Sequence, residues 1–235
     1  MKKILFGFIT IGFLMFVGCK KDKPGLQYGD GVNDINLNAY ESVIIGGQEW
    51  MAENLRTTKY SDGTTISNVT DDKEWQDLTT GAWSNYGNNQ SNGEKYGKLY
   101  NGYTVETGKL CPTGWRVPTD AEWTLLIDYL SVNGHKEFEG TALKATSGWI
   151  SGNGTDDFGW KGLSGGTRNG YGDFASVGYG GDWWSSSDGN GVQINPNGTE
   201  FSVVYLKRSL SYDSGDLHRS YLSKSVGLSV RCLRD

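Results

Sequence analysis

The side chains that most often carry nucleophilic, redox or metal chemistry are scarce in this chain of 235 residues: three cysteines, Cys19, Cys111 and Cys232, and two histidines, His135 and His218. Neither histidine sits in a recognisable triad motif, and a general base must come within about 3 Å of the nucleophile it activates. Gly-x-Gly fragments recur, but without the strand, helix and later acid that make a glycine loop a phosphate cradle. Catalysis is therefore not expected, nor is a cofactor or a bound metal. Asp156-Asp157, beside Phe158, reads as an exposed acidic turn, with a calcium loop as the alternative. What remains is binding chemistry. Trp183 and Trp184 are adjacent, and adjacent residues of a strand point to opposite faces. One indole is expected inside and its neighbour near a surface groove, where a flat aromatic face suits sugar stacking or a protein contact; burial of both is the alternative. Arg168, Tyr171 and Asp173, in the loop from Gly166 to Phe174, are candidates for the polar rim of that region, or else a cluster held by its own backbone geometry.

The cysteines also locate the chain. Lys2 and Lys3 precede an apolar run from Ile4 to Gly18, which at about 1.5 Å per residue reaches roughly 22 Å, short of a bilayer core of about 30 Å. Residues 1–18 thus read as a signal peptide. The run ends in Phe16-Val17-Gly18-Cys19, which resembles a lipobox, so Cys19 is expected to be acylated and to become the mature N-terminus. Removal of residues 1–18 takes away two lysines and no acid, so 22 basic residues become 20 against 27 acidic ones, a net charge of −7. A surface of that sign repels nucleic acid and anionic headgroups, leaving membrane contact through the lipid anchor only. Residues 19–40 are polar and turn-rich and read as a tether; Lys20-Lys21-Asp22-Lys23 resembles a charged surface-export signal of the Bacteroidetes type, or is a plain solvated linker. Setting Cys19 aside leaves Cys111 and Cys232 as an even pair in an exported compartment. A disulfide between them is the economical expectation, two buried thiols the other.

The elements that must position these groups are legible in part. Thr119 is a good N-cap, Glu122 completes a capping box, and Pro118 fixes the entering chain. Trp123, Leu126, Ile127 and Leu130 then recur at the spacing of a buried helical stripe, and Gly134 can end it. A helix is predicted over residues 120–133, with a weaker one over 136–145. Ser42-Val43-Ile44-Ile45, then Gly46-Gly47, then Gln48-Glu49-Trp50-Met51 spell a hairpin with a two-residue turn. Segments 181–186, 201–206 and 228–233 look like strands between glycine turns. With 35 glycines, about twice the usual share, and 30 aromatic residues, the composition suits many short strands pinned by large rings. Residues 41–235 are expected to form one α+β domain, helices early and β structure late.

Five ordered blocks resemble the "Fibrobacter succinogenes major paralogous" domain family across residues 42–235. They are Val43 to Leu55, Tyr96-Gly97-Lys98-Leu99-Tyr100-Asn101, Leu110 to Trp123, Trp183-Trp184-Ser185-Ser186, and Gly227 to Cys232. Arg116-Val117-Pro118-Thr119-Asp120-Ala121-Glu122-Trp123 is also similar to a stretch of the formylglycine-generating enzymes. Both resemblances imply a C-type lectin-like fold, in which a disulfide commonly ties the first helix region to the last strand. The oxidase activity of the second family is not implied, because its Cys-x-x-x-x-Cys pair is missing here. Calcium-dependent sugar binding of the C-type lectin kind needs Glu-Pro-Asn or Gln-Pro-Asp; Asn195-Pro196-Asn197 lacks the carboxylate and reads as a turn. The expectation is a non-catalytic envelope protein, lipid-anchored to the outer membrane and displayed at the cell surface, binding an extracellular glycan or protein through residues 164–190. A structural or assembly component of the envelope is the alternative.

Overall fold

A computed structural model describes residues 26–194 and 200–235. The expected signal peptide, the lipobox with Cys19, the start of the tether and Asn195-Pro196-Asn197 lie outside the described residues.

The fold is α+β, built on two principal sheets. The hairpin forms in the predicted register, Ser42 opposite Met51 and Ile45 opposite Gln48. Gly46 and Gly47 both have positive φ, which is why two glycines make this two-residue turn. The hairpin is the centre of a five-stranded sheet, ordered Gln27–Tyr28, Ser42–Ile45, Gln48–Met51, Leu233–Arg234, Trp115–Arg116. Two distant parts of the chain therefore meet where Leu233 faces both Trp50 and Arg116. The disulfide Cys111–Cys232 closes beside that pairing, with its Cα atoms 6.0 Å apart and its ends 121 positions apart in the sequence. Chain-entropy arguments set an upper bound of about 4 to 5 kcal/mol on its contribution.

The second sheet has nine strands. Gly180–Ile194 and Glu200–Ser211 form a long hairpin at one side, next to His218–Leu222; Gly165–Arg168, Gly227–Leu228, Leu99–Asn101, Ala82–Ser84 and Ser67–Asn68 continue from it, and Phe174–Val177 pairs with Gly165–Arg168 off this path. β structure thus flanks the helices on both sides in sequence, which corrects the expected order of helices early and strands late. The predicted strand over 228–233 is split: Ser229 bridges to Trp183 and Leu233 joins the other sheet, so this segment carries the chain from one sheet to the next.

The main helix is Asp120–Leu130, with the complete capping box between Thr119 and Glu122. Residues 131–135 leave the α geometry in a wider turn in which Gly134 has φ 94°. Trp123, Leu126 and Leu130 are buried and Ile127 is partly so. Trp123 enters a cluster of indoles, 4.7 Å from Trp50 and 5.9 Å from Trp160, and Trp160 lies 5.0 Å from Trp183. The weaker helix shrinks to Glu139–Leu143. Three helices of five to seven residues, Asp72–Gln76, Gln90–Tyr96 and Gly102–Glu106, were not anticipated; each is too short to show a hydrophobic period. The stretch read as tether is folded from Leu26 onward: Gln27 and Tyr28 pair with Ile44 and Val43, and Tyr40 is buried with its hydroxyl donating to Asp34 at 2.7 Å. Side-chain hydrogen bonds within the turn, rather than apolar spacing, hold this segment.

Candidate functional site

Trp183 and Trp184 are both fully buried. Opposite-face geometry sends them into different clusters, Trp183 among Trp50, Trp123 and Trp160, Trp184 among Met51, Tyr100 and the disulfide. Each indole N–H is satisfied inside, Trp183 by Asn54 Oδ1 and Trp184 by the Tyr100 carbonyl, both at 2.8 Å. Neither ring is open to a ligand, which corrects the expectation of an indole at a groove. Arg168 is buried as well, between Trp75 at 4.3 Å and Phe174 at 4.8 Å. Its guanidinium donates to the carbonyls of Gly172 and Val69 and to Asp72 Oδ1, and burial lowers its pKa from the usual arginine value. This arginine staples a loop and is no rim. Tyr171 and Asp173 are exposed, on a loop closed by Asn169, whose Oδ1 accepts from both backbone N–H groups. The five residues are therefore not brought together. Of the acidic pair, Asp156 Oδ1 caps the Lys161 N–H and Asp157 faces Thr155 and His135. Among the described residues no cluster of three or more His, Cys, Asp or Glu is placed to hold a metal.

The surface concavity with convergent polar groups lies elsewhere. A cleft of about 400 Å³ is lined by the amides Asn38, Asn68, Asn85 and Gln90, together with Arg56, Glu94, Lys98 and the edge of Trp83. A second cleft, of about 520 Å³, adjoins it; Arg56 and Glu94 line both, and Asn54, Tyr96 and Lys161 are among the residues on its far side.

Local sequence explains the shape. Asn89 caps the Gln90–Tyr96 helix by accepting from the Ser91 N–H, and Gly97, at φ 81°, ends it. A Cβ at Gly97 would lie 2.6 Å from the Asn54 Cβ, so glycine lets the helix end press on the cleft floor. The Lys98 N–H then donates to the Leu55 carbonyl at 3.0 Å. The Lys98 ammonium sits 3.8 Å over the Trp83 ring and donates to Asn85 Oδ1 at 3.3 Å. Burial, with the Arg56 charge adding to it, lowers the Lys98 pKa below the usual lysine range. Arg56 is fixed by Glu53 at 2.6 Å, by the Ala39 carbonyl at 2.9 Å and by the Tyr40 ring. Charged groups in the cleft are thus paired and pre-positioned.

Beneath the clefts Asn54 joins surface to core. Its Nδ2 donates to the Tyr96 carbonyl, while Oδ1 accepts from Trp183 Nε1 and from Arg231 Nη2. Arg231 is fully buried, 3.7 Å over the Trp160 ring, and donates also to the Trp160 carbonyl. Burial pushes its pKa down to about 9, with Asp156 and Glu53 opposing at longer range. The lining of the polar cleft went unread in the sequence, yet a signal exists: residues 83–92 hold Asn85, Asn88, Asn89, Gln90 and Asn92, five carboxamides in a run too polar for a core element.

Residues 43–234 match the family model described as the Fibrobacter succinogenes major domain. No curated protein and no solved structure matches the chain.

Proposed function

Because the chain belongs to the Fibrobacter succinogenes major domain family, we propose that it is a non-catalytic recognition protein of the cell envelope, binding an extracellular glycan at the amide-lined cleft. The fold would be of the C-type lectin-like kind and the anchor a lipid on Cys19, at the outer membrane. The observation that carries the reading is the convergence of Asn38, Asn68, Asn85 and Gln90 on one hollow beside Arg56, Glu94 and Lys98. A carboxamide offers a donor and an acceptor together, so it meets a hydroxyl in either sense; four of them beside fixed charges suit a polyhydroxyl ligand better than an apolar one. Lys98 covers the Trp83 face, so recognition here runs through hydrogen bonds rather than ring stacking, and such a site binds weakly one contact at a time. Among the described residues no helix is long and apolar enough to cross a membrane.

The test is an array of extracellular glycans probed with the full chain and with Asn68→Ala/Gln90→Ala. Binding by the wild type that the double variant loses, at unchanged melting temperature, is expected. No glycan bound, together with a stoichiometric envelope partner in pull-downs that the double variant retains, would establish the assembly role instead.

A further inference from the structure

The main helix is apolar on two faces. Trp123, Leu126 and Leu130 point inward, yet Leu125 is 59% exposed, Tyr129 36% and Val132 81%. Leu125 and Tyr129 are one turn apart, at 100° per residue Leu125 stands opposite the buried stripe, where a surface helix is normally polar, and Val132 follows in the wider turn after Leu130. Phe138, 60% exposed, follows in the next turn of chain.

The described chain begins on the Tyr129 side of this helix. Leu26 packs into the core cluster that the helix covers, against Gly159. The neighbouring Phe158 ring lies 6.2 Å from Tyr129. Gln27 pairs with Ile44, and a Cβ on Gly46 at the tip of that hairpin would lie 2.7 Å from the Tyr129 ring. Cys19 is seven residue steps before Leu26, at most about 25 Å of chain by whatever path.

We propose that the face carrying Leu125, Tyr129 and Val132 docks on the lipid bilayer surface, holding the domain in one orientation. The inference rests on the proposed acylation of Cys19. An anchor within about 25 Å keeps this face at an effective concentration that a weak patch can use. Three side chains are few beside the 20 to 30 residues a side of a stable protein interface, so a second copy in free solution is a poor occupant. A bilayer asks for less: aliphatic side chains that enter the headgroup layer and a tyrosine at its boundary. Asp128 lies on the same helix side and Glu137 next to Phe138, so the surface would be zwitterionic rather than anionic.

The experiment uses the full chain, purified from membranes and reconstituted into phosphatidylcholine vesicles, with an environment-sensitive fluorophore on Leu125→Cys, on Val132→Cys, or on Lys73→Cys, an exposed helix position outside the patch. The expected result is a blue-shifted emission and collisional quenching by an aqueous ion about threefold weaker at 125 and 132 than at 73, the shielding of a shallow interfacial helix. Quenching equal at all three positions, on protein that floats with the vesicles and carries acyl chains on Cys19 by mass spectrometry, would overturn the docking and leave the anchor standing. An unmodified Cys19 on protein that does not float would overturn both. Protection that rises with protein concentration in vesicle-free detergent would assign the face to a second copy and overturn the bilayer as occupant.

Discussion

Asn54 stands between the indole interior and the second cleft, which adjoins the amide-lined one, and interior and clefts solve opposite problems. Inside, Trp183, Trp184 and the terminal nitrogens of Arg231 donate to carbonyl or amide acceptors, while Trp123 Nε1, Trp160 Nε1 and Arg231 Nε meet no acceptor among the described residues, and each unmet buried donor costs about 1 to 3 kcal/mol. In the cleft, Asn38, Asn85 and Gln90 each spend one amide group on Asp34, Lys98 and Glu94, and water can satisfy the rest of their donors and acceptors until a ligand does. Polar groups thus serve rigidity in the interior and, under the proposed function, recognition in the clefts. An aromatic pair in a sequence says little about which side it joins.

The sharpest way to break this contrast is to truncate the interior. Trp183→Ala or Trp184→Ala is expected to cost about 3 to 5 kcal/mol, the range for a large aromatic removed from a packed core, read by chemical denaturation. A loss below about 1 kcal/mol for either would mean that its ring is not the core element described here. Next in size is the cross-link. Cys111→Ser/Cys232→Ser should lose about 2 to 5 kcal/mol, with the same loss in the wild type under reductant. Stability indifferent to reductant would remove the disulfide as a staple of the two chain ends.

A third comparison uses pH. Tyr100 is fully buried and donates to the Thr57 carbonyl at 2.8 Å, and burial raises its pKa well above the usual tyrosine value. A raised pKa in the folded state means that the phenol's stabilisation is complete below about pH 10 and fades as the unfolded chain ionises above it. Tyr100→Phe is expected to be less stable than wild type by about 1 kcal/mol at pH 8, and that deficit should shrink from pH 10 upward. A deficit constant to pH 11 would mean that the phenol is open to solvent, as Tyr171 and Tyr221 are.

What could be read from the sequence follows the reach of the physics behind it. The capping box from Thr119 to Glu122 and the glycine pair at 46 and 47 are local rules with local outcomes, and both hold. The cysteine pairing needed only arithmetic and an exported setting. The fate of Trp183 and Trp184 is not local: strand geometry says that they diverge, but whether the second face is solvent or another layer depends on where Ser229 and Tyr100 arrive. Both faces turned out to be interior. Arg168 misled for a related reason, since a charge in a glycine loop looks like surface until Trp75 and Phe174 close over it. The amide cleft was missed because its lining comes from five separate segments, and only the run from Asn85 to Asn92 is dense enough to notice.

The smallest effect on stability falls at the cleft, and it is the one that gives the contrast its functional meaning. Asn68 and Gln90 are exposed, and the Gln90 side chain donates to Glu94, one helical turn away. Surface substitutions of this kind usually stay within about 0.5 kcal/mol, so Asn68→Ala/Gln90→Ala should melt with the wild type. If ligand binding falls at least tenfold in that background while Trp184→Ala, assayed well below its lowered melting temperature, still binds, recognition belongs to the cleft and the indoles are scaffold. If instead the cleft variant binds normally and the folded Trp184→Ala protein does not, the interior reaches the ligand by a route that buried indoles with satisfied donors do not offer.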